Sequence, residues 1–184
     1  MSYALIADGP WRVGVGLGMA FERGRTVSDS AIAAGLGDIG RTALGSVSAS
    51  YHSGWFGARG SVVTDVGGHQ QGTRASLDLD ARYTVLPNLV LSAGPGLTWA
   101  DRAYTRTYFG VNAAQSAATG LAAYDPGAGI NTLRFNIGAM VWLSSAWSLS
   151  GRITASRLQG DAGASPITEQ RSQTSSALFA NYRF

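Results

Sequence analysis

Residues 73–85, TRASLDLDARYTV, alternate without a break. Thr73, Ala75, Leu77, Leu79, Ala81, Tyr83 and Val85 fall on one face of an extended chain, and Arg74, Ser76, Asp78, Asp80, Arg82 and Thr84 fall on the other. Side chains of a β-strand point to opposite faces with a period of two, whereas a helix would repeat every 3.6 residues. The stretch therefore reads as a long strand with one apolar and one polar face.

The same period recurs on both sides. Leu133, Phe135, Ile137, Ala139, Val141 and Leu143 alternate with Thr132, Arg134, Asn136 and Gly138. Trp147, Leu149 and Ile153 oppose Ser148, Ser150, Arg152 and Thr154, and Trp11, Val13, Val15, Leu17, Met19 and Phe21 oppose Arg12, three glycines, Ala20 and Glu22. In all, the spacing predicts eight strands, at about 11–23, 41–53, 55–66, 73–85, 89–101, 130–143, 147–159 and 171–184. Residues 1–8 read as the tail of a further strand. An ordinary strand has about 5–6 residues. A strand of about twelve, tilted near 40°, rises roughly 30 Å, the thickness of a bilayer's hydrocarbon core.

The connections alternate in length. Ser53-Gly54, Leu86-Pro87-Asn88 and Ser144-Ser145-Ala146 are tight, while about 24–40, 67–72, 102–129 and 160–170 are long. Short turns at one end and long loops at the other characterise outer-membrane barrels, with the short turns in the periplasm. The aromatics sort accordingly. Trp11, Tyr51, Trp55, Phe56, Tyr83, Trp142, Trp147, Tyr182 and Phe184 lie near the tight-turn end, and Phe21 and Trp99 near the other. Amphipathic rings prefer the headgroup level, so Trp11, Tyr51, Phe56, Tyr83, Trp147, Tyr182 and Phe184 are expected to form an aromatic girdle. The final SSALFANYRF, 175–184, runs its alternation to the last residue, which places Phe184 in that girdle. A soluble barrel would alternate too. The strand length, the girdles and the terminal Phe favour the membrane form.

Composition fits one domain, 1–184, with few charges to spare for a water-facing surface. Only 14% of residues are charged, against about 25% usually. The net charge is +3, and all basic residues are arginines scattered without a run, so nucleic acid is not expected as a partner. There is no cysteine and hence no thiolate site. No run of about 18 apolar residues offers a membrane helix, and MSYALIADGP does not read as a secretory signal peptide.

Three stretches carry a family resemblance: GLGDIG at 35–40, GPGLTWADRAYTRTYFGVNAAQSAATGLAAYDPGAG at 94–129, and WSLSGRITASRLQGDAGASPITEQRSQ at 147–173. Together with the Tyr-Arg-Phe end they resemble the MltA-interacting protein (MipA)/OmpV family of outer-membrane proteins. The resemblance implies an antiparallel up-and-down transmembrane β-barrel in the outer membrane of a Gram-negative cell. It implies a scaffold linking murein (peptidoglycan) hydrolysis to synthesis, with a lytic transglycosylase and a murein synthase as partners. Other members resemble osmotically regulated or surface-exposed porin-like proteins, and the alternative expectation for this chain is a small porin-like channel or a solute-binding or surface-adhesion barrel. A C-terminal Phe such as Phe184 resembles the signal read by the outer-membrane assembly machinery. The resemblance also implies a signal peptide and further strands upstream of residue 1, so the chain is either a closed barrel or a section of a larger one.

No catalytic set emerges, and an enzyme is not expected. His52 reads as an interface residue. His69 reads as a loop residue with no serine nominated beside it. Asp78 and Asp80 share a face with Arg74 and Arg82. In a narrow lumen these, with Arg134 and Arg152, are expected to neutralise one another as a charge network rather than to hold a metal. The glycines of GVGLG, 14–18, lie on the polar face of a strand, where they relieve crowding, and not in a phosphate loop. The segment 111–123 is expected to form a short helix in the longest loop. No cofactor is called for.

Overall fold

The structure, a computed structural model, describes residues 2–19 and 35–183. Nine strands form one antiparallel sheet in chain order: β1 (Ser2–Asp8), β2 (Trp11–Met19), β3 (Ala43–Ser53), β4 (Phe56–Asp65), β5 (Thr73–Leu86), β6 (Leu89–Ala100), β7 (Gly129–Trp142), β8 (Trp147–Leu158) and β9 (Ser172–Tyr182). This is the expected up-and-down all-β architecture with one strand more. Residues 2–8 pair fully with β2, bulging at Leu5, so that Ser2 faces Gly16 and Asp8 faces Trp11. The N-terminal strand therefore runs from the long-loop side towards the turn at Gly9–Pro10, and only that turn, not all of residues 1–10, lies with the other tight turns. Phe184, Phe21 and most of the 24–40 loop lie outside the described residues.

Each of β5 and β7 has 14 residues, an axial rise of about 35 Å at a 40° tilt. Register carries the alternation across the sheet. Val15 faces Val47, Leu77 faces Leu97, Leu97 faces Leu133, and Ile137 faces both Ala93 and Ile153. This continuous apolar face is not packed against anything. Leu77, Leu133, Phe135, Ile137 and Ile153 are all exposed. The buried apolar residues are instead Leu36, Ile39, Ala100, Val111 and Ala162, at the long-loop end. A water-soluble protein does not leave an apolar face of this extent uncovered; hydrocarbon covers it at no cost. Among the described residues β1 and β9 do not pair with each other. Hydrocarbon tolerates no open sheet edge, so in a bilayer both edges must be paired.

Pro95 sits in the middle of β6, paired with Phe135. It has no N–H to give to β5, and the β5–β6 pairing passes over Leu79 and Asp80. The two strands pinch together there: a Cβ on Gly94 would collide with the Leu79 carbonyl. The long loop after β6 holds two helices, α1 (Arg102–Phe109) and α2 (Ala113–Thr119), and a third, α3 (Gly160–Ala164), follows β8. The helix expected in 111–123 is α2. Asn112 and Gln115 form a reciprocal capping box at its start, and Gly120 ends it in the left-handed region at φ 75°.

Candidate functional site

The polar face of the sheet gathers the charged side chains named from the sequence and divides them. Arg134 grips Asp78 with two bonds, Nε to Oδ1 and Nη2 to Oδ2, both 2.7 Å, and its Nη1 donates to Thr98 Oγ1 at 2.7 Å. The two residues stand on β7 and β5, with Gly96 of β6 facing each of them. A Cβ at Gly96 would lie 2.2 Å from Asp78 Oδ1 and 2.7 Å from Arg134 Nε. The glycine is thus the gap through which the pair reaches across a strand. Asn136 extends the cluster, accepting from Thr154 Oγ1 at 2.8 Å. Asp80 pairs separately with Arg82 at 2.6 Å, close to Gly57, where an added Cβ would meet the Asp80 carboxylate at 2.6 Å.

Arg74 and Arg152 stand apart from these pairs, with no ion pair among the described residues. The Arg74 guanidinium lies 6.0 Å from the ring centroid of Tyr104 on α1, a cation–π distance. Arg152 projects from β8, exposed, opposite Gly138. Asp78–Arg134 was not readable as a pair, because its partners lie 56 residues apart and meet only through the registers of two intervening ladders.

The aromatic residues line up at the tight-turn end. Trp11 and Tyr51 have ring centroids 4.9 Å apart, Tyr51 and Phe56 6.5 Å, and Trp147 and Tyr182 4.9 Å. Tyr83, opposite Leu91, is on the same apolar face. Trp142, paired with Ser148, lies on the polar face instead, and so does His52, paired with Gly57.

At the other end the long loops are tied together through aspartates. Asp101 accepts from Tyr104 N at 2.7 Å, capping α1, and from Thr73 N at 2.9 Å. Asp125 pairs with Arg102 and Arg106 of α1. Asp161 accepts from Gly127 N at 2.7 Å. Tyr108 donates to Gln71 Oε1 at 3.0 Å. Burial raises its pKa, so it stays a neutral donor well above physiological pH. The acidic signals were visible in WADR, AYDPG and QGDAG, but α1 was not: RAYTRTYF is rich in β-branched and aromatic residues that favour strands.

A cavity of about 500 Å³ opens among these loops, beside Asp38, His69, Arg106, Gln115 and Asp125. His69 meets a hydroxyl with a carboxylate behind it. The Thr42 hydroxyl donates to Asp65, so its oxygen is left to accept from His69 Nδ1 at 3.2 Å. In a hydrolytic triad the histidine would stand between hydroxyl and carboxylate; here the hydroxyl does.

The model of a protein family described as MltA-interacting protein MipA matches residues 1–184. A search of curated proteins finds no match to the chain.

Proposed function

The chain belongs to the MltA-interacting protein (MipA) family, and from that premise we propose that it is a single, non-catalytic barrel domain of the Gram-negative outer membrane. In this reading it serves as a scaffold on which a murein hydrolase, a lytic transglycosylase, assembles with a murein synthase. The family match over the whole chain carries the reading. The unpacked apolar face, strands long enough to span a bilayer, and the row from Trp11 to Tyr182 support the membrane part. In this reading that row is the periplasmic girdle, and Phe184, outside the described residues, is the signal for the assembly machinery.

In this reading the long loops lie outside the cell. An epitope placed in residues 116–120, at the end of α2, is expected to be labelled on intact cells. Labelling only after the outer membrane is opened would reverse the orientation.

The scaffold surface is then the periplasmic rim at Gly9–Pro10, Gly54–Trp55, Pro87–Asn88 and Ser144–Ala146. Two of its residues already hold the rim together: Asn88 Nδ2 donates across to Trp142 O at the end of β7, and Ser144 Oγ accepts from the backbone of Ala146 and Trp147 within its own turn. The informative substitutions are therefore Pro87→Glu and Ser145→Glu. The rim is small beside a standard interface of about 1,600 Å², so association should be weak. The pair of changes is expected to reduce retention of a lytic transglycosylase on an affinity column about tenfold, ~1.4 kcal/mol, with conductance in planar bilayers unchanged. Undiminished retention would remove the rim from the function.

A porin-like channel is a second reading, favoured by the unpaired Arg152 on the polar face. It predicts anion-preferring conductance that falls when Arg152 is neutralised.

A further inference from the structure

On β6, β7 and β9 the polar face carries large apolar residues in its lowest third. Upwards from mid-strand it carries Ser, Thr, Gly and charged residues. Below, Val90, Met140, Trp142 and Phe179 take the same face. Met140, Trp142 and Phe179 are exposed there rather than packed. They do not face lipid, since the opposite face of the same strands carries Leu91, Ala139, Val141 and Leu149. A barrel interior that holds water has no reason to place three large apolar side chains around its mouth.

Directly above them runs a basic row. Arg82 faces Ser92, Ser92 faces Gly138, and Gly138 faces Arg152, in one line across β5 to β8. The next line down is Thr84, Val90, Met140, Ser150 and Phe179. The two lines are one side-chain repeat apart, about 7 Å. Arg82 and Arg152 are three strands apart, roughly 14 Å along the sheet, and each guanidinium extends far enough from its backbone to approach a group lying between them. Nothing fills the shelf. A Cβ added to Gly138 would stand 2.7 Å from Ser92 Oγ, so any larger residue would occupy it. The result is a cavity of about 790 Å³ that includes both arginines and the apolar residues beneath them. Its size is in the range of small-molecule sites.

We propose that this cavity binds a single-chain anionic amphiphile, with its carboxylate or phosphate head between Arg82 and Arg152 and its apolar chain lying towards the tight-turn rim against Met140, Phe179 and Trp142. The chemistry follows from what each half lacks. Arg152 has no carboxylate partner among the described residues, and Arg82 shares Asp80 through Nε alone, which leaves its terminal nitrogens to donate. Both heads are planar or tetrahedral oxyanions that guanidinium groups grip well. The apolar trio gains by covering, and an acyl chain covers it. The site opens at the end assigned to the periplasm. It requires only that the polar face be the barrel's interior, and it holds whether or not a murein enzyme is bound.

The test uses the full protein in nanodiscs of zwitterionic lipid, with equilibrium dialysis of labelled dodecanoate against empty discs. Dodecyl phosphate, dodecanol and acetate are run in parallel. Saturable binding near one equivalent is expected for dodecanoate or dodecyl phosphate, and the tighter of the two identifies a fatty-acid or a phospholipid-type head. Dodecanol and acetate should bind at least tenfold more weakly. Arg152→Gln should weaken binding about tenfold, and Gly138→Leu should abolish it. Heat-modifiable migration in gels checks folding of each variant. Should Gly138→Leu fail to fold, Arg152→Gln decides alone, because its side chain holds no structural ion pair. Partition no greater than into empty discs overturns the proposal, as does full affinity in Arg152→Gln or equal binding of dodecanol. Transglycosylase retention is read separately, so failure here leaves the scaffold reading standing.

Discussion

Arginine in place of Ile137 is expected to destabilise the folded barrel in lipid vesicles by about 2–4 kcal/mol, the cost measured for a cation at the midplane of a barrel's lipid face. Ile137 is near the middle of β7, 56% exposed, with Ala93 and Ile153 on either side. None of these can accept a hydrogen bond from a guanidinium, and the nearest interface is half the bilayer away. The neighbouring change, Asn136→Arg, places the same group on the opposite face. There it loses one bond to Thr154 but gains the Asp78 carboxylate within reach, since Asn136 Nδ2 is already 3.4 Å from Asp78 Oδ1. Urea titration followed by tryptophan fluorescence should show a much smaller loss for position 136. Equal losses would mean that lipid and lumen faces are exchanged or that neither face meets lipid.

The second large effect is Asp78→Ala, expected to cost about 2–3 kcal/mol. The Arg134 side chain is only 17% exposed, and without Asp78 it keeps a single side-chain acceptor, Thr98. A charge left under-paired in a confined space costs more than the pair itself contributed. Arg134→Ala in the same background should recover part of the loss, giving a coupling energy of about 1–3 kcal/mol in a double-mutant cycle. Gly96→Ala should mimic Asp78→Ala, because its methyl group would fill the gap the pair crosses. Asp80→Ala provides the contrast. Arg82 is 41% exposed and solvated, so the loss should stay below about 1 kcal/mol. Similar losses at 78 and 80 would remove the special status of the bridged pair.

The strands were legible because alternation is a local signal. Every residue from Thr73 to Val85 votes for the same period, because each face keeps one polarity along that strand. The first strand read only as a tail, outside the count of eight, because its bulge at Leu5 shifts the alternation by one. Within the charge cluster, Asp80–Arg82 could be read from neighbours two apart on one strand. Asp78–Arg134 depended on a glycine in a third strand, which a one-dimensional pattern does not show. Arg74 was expected among the carboxylates but meets Tyr104, because α1, whose residues favour strands, folds over the end of β5. The apolar lower mouth was hidden for the opposite reason: Met140, Trp142 and Phe179 stand in the polar phase, where apolar residues read as noise.

The strand order also has a kinetic meaning. Since every ladder among the described residues joins chain neighbours, each of these pairings is a hairpin closure, and only the pairing of the two edges has to wait for a distant segment. The entropy lost in closing each grows only with the logarithm of the link, about 0.6 kcal/mol per doubling. The long 101–128 link thus costs only about 1.2 kcal/mol more to close than the short one at 66–72. Loop length at the long-loop end is therefore free to vary at little cost to pairing. At the tight-turn end a two-residue turn such as Pro87–Asn88 fixes which residues face each other, and one added residue there would rotate a whole strand by half a turn, sending leucines onto the polar face and serines onto the apolar one.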